Sequence, residues 1–479
     1  MHDGQAGIVL QSWPRFLPAP GLVRHMIESF FSFHPHANRL FHQSTFLASL
    51  AYPPTHPNFP STAVLHALCG VGSMYTAAIP SSELPGHGFM PDYEILQERY
   101  RDNGHIESFS ETHIKFARRE VEHSFSHGLR LLEAQQALML IAWWYWCNAK
   151  WVYLTVGQIV RACFPFGLHL SSHFKPLIDG VMPASLLPPP EDGLDDEIRR
   201  NLFWLAYTLE RLSGCGNGWP MSLDDEDVSQ LLPVHETNFA LGISWPDASE
   251  RQHPFSKDVL LTHYPGQTDS FGLYVKATIL LSRVRTFNLR YRSKRFCEDE
   301  ATMYSVKYRE HWEGWVSDNE EDPRRTAAFM ELHRIAQSFR GSFPHPMQDP
   351  MASGTIDPHL FVASVVPNVA LILLHDPHAH IESNYCQSAA NLLRASRSIL
   401  ELLYGADSSS FDLSLLDCFC SFAWYAAGRT LTRFWQAALQ VQAPEQANTF
   451  RTEVEYIQSA LLKVGRRAPL AREYMVHNA

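Results

Sequence analysis

Residues 195–212 read DDEIRRNLFWLAYTLERL, and the spacing of their apolar side chains decides the kind of structure this chain builds. Ile198, Leu202, Leu205, Leu209 and Leu212 recur at alternate steps of four and three, which puts them along one face of a helix. Asp195, Asp196 and Glu197 lead the segment, where the positive end of the helix macrodipole favours anions, so the start of the helix is specified as well. Arg199, Arg200, Glu210 and Arg211 share that helix with Phe203, Trp204 and Tyr207. Some of these charges must border buried aromatic surface, so each arginine is expected to stack on a ring or pair with a carboxylate.

Outward from this segment the same period persists. Leu22, Met26, Phe30 and Phe33 form one stripe before Pro35, and Val64, Leu65, Leu68, Val71 and Tyr75 form another behind Ser61, a helix N-cap. Three or four helices are expected between residues 110 and 170, one over 272–295 and several after Pro323. Proline and glycine clusters mark loops at 52–60, 79–91, 183–193, 233–265 and 343–358. No tandem repeat is present. The expectation is an all-α fold: one large multi-helix domain of packed antiparallel helices over 13–465, with long Pro/Gly-rich loops and little or no strand. Residues 1–12 and 466–479 read as tails.

Composition supports a packed interior, since 45% of the 479 residues are hydrophobic, 12% are aromatic and only 19% are charged. The 39 Lys and Arg against 50 Asp and Glu give a net charge of −11, a sign opposed to stand-alone binding of duplex DNA. Eight cysteines, at 69, 147, 163, 215, 297, 386, 418 and 420, are too scattered for a zinc framework or a disulfide scaffold, and read as reduced thiols. The N-terminus has no signal-peptide pattern. The apolar runs 137–147 and 361–374 fall short of the roughly 18 residues that span a bilayer, so no membrane span is expected.

Catalytic chemistry finds no support. His123 with His127 and His169 with His173 are i,i+4 pairs able to face one way on a helix, but HSFSH and HLSSH lack the Glu of H-E-x-x-H and a third ligand. Gly214-Cys215-Gly216-Asn217-Gly218 lacks the preceding strand and the Lys-Ser/Thr of a phosphate loop. It reads as the turn that ends the helix before Pro220. No catalytic residue, resident metal or cofactor is expected, and an enzyme is the least favoured class.

The run Arg199-Arg200-x-Leu202-Phe203-Trp204-x-x-Tyr207-x-Leu209-Glu210-Arg211, followed by Gly218-x-Pro220, Asp227 and Leu232-Pro233, resembles the fungal transcription-factor regulatory domain, or middle homology region. Trp151, Gly157, Arg161 and Gly167-Leu168-His169 are similar to the family's preceding segment. Phe30-Phe31, His34-Pro35, Phe41-His42 and Thr45-Phe46-Leu47 resemble its entry, and weaker matches continue to about residue 465 in Leu373–Pro377, 386–400 and Ala427-Gly428-Arg429. Two departures stand in the signature: Glu210 where Asp is more common, and Gly214 where many members have Ser.

The resemblance implies a domain that regulates transcription in the nucleus through other transcription regulators, a homologous subunit or a small-molecule effector. In the family it accompanies a six-cysteine binuclear zinc cluster. A dozen residues before Trp13 leave no room for that module here, so zinc is expected only in the missing module and DNA contact only indirectly or through it. The alternative class is a stand-alone interaction protein that inhibits full-length relatives. Arg283, Arg285, Arg290, Arg292, Lys294 and Arg295 place six cations in thirteen residues. They read first as the solvated C-terminal end of a helix, and Arg290, Arg292, Lys294 and Arg295 as a candidate nuclear import signal. Arg161 and Glu210, from the two best-matched segments, are expected on facing helices as an ion pair.

Overall fold

The computed structural model describes residues 13–79, 107–150, 152–171, 185–216, 218–242, 251–297, 322–352, 354–382 and 385–476, with the backbone alone for 292–297 and 476. Among them the regular structure is α-helix with short 3₁₀ turns, and a single isolated bridge between Leu170 and Ser229 stands in place of any sheet. The chain divides into two compact units, 1–168 with 175–206 and 239–244, and 169–174 with 207–238 and 245–479.

In the first unit, α1 (Pro20–Phe33), α2 (Ala37–Leu40) and α3 (Gln43–Ser49) form the entry. They are followed by α4 (Thr62–Gly72), α5 (Phe109–His127), α6 (Leu131–Cys147) and α7 (Val152–Cys163). Helix α4 is the centre: it packs on α1, α5 and α6, and ten of its eleven residues are buried. Its small residues permit the close approach. A Cβ on Gly72 would lie 2.3 Å from the Met26 carbonyl oxygen of α1. The Ser61 hydroxyl accepts from the Val64 N–H, as its position ahead of the apolar stripe predicts. Helix α5 starts with a reciprocal capping box between Ser108 and Glu111 and ends on Gly128 in the left-handed conformation, φ 66°.

Helix α8 (Gly193–Ser213) carries the opening segment, contributing to the first unit up to residue 206 and to the second from 207 onward. It begins two residues earlier than its carboxylates suggest, because the Asp192 carboxylate caps the Asp195 N–H at 2.8 Å. After α9 (Glu236–Ala240), the second unit continues with α10 (Ser270–Cys297), α11 (Ala327–Ser338), α12 (Pro358–His375) and α13 (Gln387–Asp407). It closes with α14 (Phe419–Gln440), α15 (Pro444–Val464) and α16 (Leu470–Val476). Its core helix is α12, which packs on α10, α11, α13 and α14.

Two expectations change. The stretch Pro358–His378 is long and apolar enough to cross a bilayer, longer than the run read from sequence, because Pro367 is accommodated inside α12 and does not end it. Of its apolar window 83% is buried, as in the core helix of a packed unit. Residues 466–476, expected as tail, turn and form α16 against α14 and α15, with Ala471 fully buried and Tyr474 stacked on Tyr425 at 5.0 Å. Residues 1–12 lie outside the described part.

Candidate functional site

The second half of α8 brings the charges of the opening segment into one buried cluster. Arg211 has no solvent exposure, and its guanidinium carbon sits 3.8 Å from the centroid of the Tyr207 ring, four residues back and one turn below. Its Nη1 donates to the Glu210 carboxylate, and its Nη2 donates to Asp225 Oδ1 at 2.8 Å and to the Leu223 carbonyl at 2.8 Å. The second oxygen of Glu210 accepts the Ser222 N–H at 2.5 Å. Asp225 is the hub: Oδ1 also accepts from the Tyr207 hydroxyl, and Oδ2 accepts from Ser282 of α10, both at 2.8 Å.

Arg285, one turn along α10 from Ser282, completes the clamp by donating to the carbonyls of Arg211, Gly214 and Trp219. The Arg211 and Gly214 carbonyls lie where α8 ends, so a buried cation caps the helix C-terminus where its dipole is negative, and the bond to Trp219 holds the following turn. The cluster therefore fastens the 214–225 turn to α8 and α10. Burial opposes the charge on Arg211, but Tyr207, Asp225 and Glu210 outweigh it and hold its pKa above the ordinary value. Burial, then Asp225, pushes the Tyr207 phenol up, so it stays a neutral donor.

At the N-terminal end of α8, Arg199 holds Asp195 at 2.8 Å and the Pro188 carbonyl at 2.6 Å. Arg200, 1% exposed, lies between Asp196, at 2.7 Å, and Glu197. Both arginines thus pair with carboxylates one turn away. Phe203 and Trp204 are fully buried and meet edge to face at 5.2 Å.

The remaining signature positions separate by role. Gly167 adopts φ 68° and lets the chain leave α7, after which Leu168 is buried and the His169 carbonyl accepts the Ser229 N–H at 3.0 Å. Gly218, φ 62°, belongs to the turn after α8, as read from sequence. Pro220 and Asp227 are exposed, and Pro233 is buried. Gly157 lies in α7 with open space where a Cβ would sit. Trp151 falls outside the described residues, as do His173, Asn217 and the side chains of Arg292, Lys294 and Arg295. Arg290 is half-buried on α10.

The ion pair expected between Arg161 and Glu210 is replaced by other contacts. Glu210 is buried with its two oxygens on Arg211 and Ser222, whereas Arg161 is exposed on α7. Spacing places residues on a helix face but does not say which turn comes back to meet them, so Asp225, the acceptor at the centre, was missed in favour of Asp227. Arg285 was read as one of a solvated run and is buried, as is part of Arg283, which donates to the Pro254 carbonyl. The His123–His127 pair is adjacent, with rings 4.3 Å apart, yet His127 Nδ1 is engaged with the His123 carbonyl. Among the described residues no group of three His, Cys, Asp or Glu is placed to hold a metal ion.

Residues 27–258 match the profile of the fungal specific transcription factor domain, which runs from Ile27 within α1 through α7, the whole of α8 and the Asp225 turn. Over this stretch, just under half of the chain, the protein is similar to the fungal specific transcription factor domain. The relatives that resemble it include the ascochitine biosynthesis cluster transcriptional regulator of Didymella fabae, 39% identical over 57 residues, 12% of this chain and 10% of the relative. The pigment biosynthesis transcriptional activator of Monascus ruber is 35% identical over 68 residues, 14% of this chain and 12% of that protein. A Zn(2)-C6 fungal-type transcription factor of Fusarium oxysporum is 28% identical over 90 residues, 19% and 9% of the two chains. The matched part is thus about a tenth of the length of these relatives. No solved structure matches the chain.

Proposed function

We propose that this chain is the regulatory part of a fungal transcription factor, acting in the nucleus through contacts with other transcription regulators or a homologous subunit, and not as an enzyme. The observation that carries the reading is the fungal specific transcription factor domain over 27–258, whose best-matched helix is anchored by the Tyr207–Arg211–Asp225 cluster. Its polar groups are spent on one another and on backbone carbonyls, which suits a scaffold and leaves no nucleophile or base aimed at a substrate. DNA contact is assigned to a zinc module outside these residues or to a partner, in keeping with the net charge of −11. The C-terminal end of α10, with Arg290, Arg292, Lys294 and Arg295, is the proposed import signal.

The test fuses the 479-residue chain to an unrelated DNA-binding domain and measures a reporter carrying that domain's operator in a fungal nucleus. Output raised or lowered several-fold relative to the DNA-binding domain alone supports the reading. Unchanged output from a fusion shown to be nuclear and folded overturns it. A several-fold change that requires a co-expressed full-length relative favours the inhibitor form, in which the chain acts by pairing.

A further inference from the structure

His375, the last residue of α12, is buried and is held by side chains from two neighbouring helices. Its Nε2 lies 2.9 Å from His333 Nδ1 of α11 and 3.3 Å from Asn391 Nδ2 of α13, and its Nδ1 lies 3.1 Å from the Ser388 hydroxyl of α13. The amide fixes the protonation of the ring. Asn391 Oδ1 accepts from Arg394 Nη1 at 3.2 Å, so Asn391 Nδ2 is the donor toward His375, and Nε2 of His375 must offer its lone pair. His375 is therefore neutral, with its hydrogen on Nδ1 and aimed at Ser388, and His333 donates from Nδ1 to the same lone pair.

A second proton on His375 meets other donors. It would sit on Nε2, where the Asn391 and His333 N–H groups already point, and turning the amide over would set its N–H groups against Arg394. The surrounding charges oppose it as well: Arg324 from the 322–325 turn and His378 just beyond α12 act on His375, and Arg394 acts on His333. The acidic side chains of the same elements are spent elsewhere, Asp322 on Arg324, Glu331 on Arg334, and Asp376 on Arg429 and Arg433 of α14. The Cys386 thiol lies between the His380 N–H and the His378 carbonyl, and α10 brings Tyr291 edge to face against His378.

We propose that His333, His375, Asn391 and Ser388 form an acid-sensitive latch, in which the neutral network holds α11 on α12 and α13 and a proton taken up by His375 releases α11. Phe329, Leu332, Ile335 and Ala336 are the buried face of α11, and Phe329 lies edge to face on His375 at 5.2 Å, so release uncovers apolar surface on α11 and on the helix it leaves. Burial, then the neighbouring His333, His378 and Arg324, holds His375 down to about 4, and burial and Arg394 lower His333. Opening returns His375 toward 6.5, so the latch is complete above that pH and is lost as the pH falls toward 4. The latch gives the regulatory reading above an input, the pH around the chain, and rests on that reading only for its biological consequence.

The test is hydrogen exchange of the full chain, read by mass spectrometry at pH 7, 6 and 5 and corrected for the intrinsic pH dependence of amide exchange. One histidine moving from about 4 to 6.5 on opening makes the open state roughly twentyfold more populated at pH 5 than at pH 7, and the amides of α11 are expected to show that rise ahead of those of α15. The His333→Gln/His375→Gln chain keeps a donor and an acceptor at each position without a titrating ring, and should cut the rise about fivefold or more. His263, against Phe339 and Ser342 at the far end of α11, is left in place in that chain. An α11 that opens no more than α15 at pH 5, or an unchanged rise in the double variant, overturns the proposal. Should that variant fail to fold, Asn391→Asp offers a protonated Nε2 a carboxylate and should also flatten the rise, and an unchanged rise there overturns the proposal instead. Exchange is measured on the purified chain and transcriptional output in cells, so either can fail while the other stands.

Discussion

Replacing Arg211 by Met keeps the stem that lies on Tyr207 and deletes the charge, which leaves Glu210 at 5% side-chain exposure and Asp225 at 28% without their shared cation. Four guanidinium hydrogen bonds, to Glu210, Asp225, the Leu223 carbonyl and, at 3.4 Å, the Ser282 hydroxyl, disappear together. Removing one partner of a buried ion pair typically costs about 3–5 kcal/mol, because the remaining charge stays desolvated. Asp225 retains the Tyr207 and Ser282 hydroxyls, so the lower half of that range, about 3 kcal/mol, is the expected loss. The assay is guanidinium denaturation of the purified chain, with the second transition followed separately if the two units unfold apart.

A triple variant, Arg211→Met with Glu210→Gln and Asp225→Asn, should recover roughly 1–2 kcal/mol relative to Arg211→Met alone, since it removes the stranded charges. Arg211→Lys should not rescue, because an ammonium cannot reach both carboxylates and the carbonyl with the guanidinium fork. The reasoning is refuted if Arg211→Met falls within about 1 kcal/mol of the parent, or if the triple variant is less stable than the single one.

Three further outcomes follow from the packing. His66 and His113, joined Nδ1 to Nδ1 at 2.9 Å, are held down to about 4 by burial, so they stay neutral in the fold and take up protons when it opens. Their contribution is complete above the unfolded value near 6.5 and is lost between there and 4, by roughly 2 kcal/mol at pH 5 for each that titrates independently; a His66→Gln/His113→Gln chain should show a flatter stability profile over pH 7 to 5. Gly72→Ala would put a methyl 2.3 Å from the Met26 carbonyl oxygen, and a loss of at least about 2 kcal/mol confined to the first unit should appear in hydrogen exchange. Asn201 is fully buried with neither amide atom bonded, so Asn201→Leu should be neutral or stabilising by about 1 kcal/mol, and a loss above about 2 would show that the amide has an unseen partner.

The helices were legible because apolar period and caps are local. Ser61 caps α4 where the stripe behind it says it should, and α8 runs from Gly193 to Ser213 against a reading of 195–212. What local pattern cannot encode is the partner that arrives from elsewhere in the chain. Nothing in the spacing of 195–212 says that Asp225 rather than Arg161 will meet this helix, or that Arg285, some seventy residues on, will close its C-terminus. A cationic run reads as solvated surface until the helix that carries it is packed. Buried Arg285 and Lys276 both sit in segments that show no sign of burial beyond the apolar residues around them.

The lysine- and arginine-based arrangements on α10 differ in how a buried charge is answered. Arg285 is matched by three carbonyls at a helix end and in the turn beyond it, and Arg211 by two carboxylates, so both cations are answered from within the chain. Lys276, on the same helix as Arg285 and no less buried, is answered by an amide, a carbonyl and an imidazole. Burial drives its pKa down to about 7, and its charge in turn helps burial hold His263 down to about 4. Burial without an anion is thus relieved by losing the proton, with the amide, carbonyl and imidazole taking the hydrogen bonds that remain.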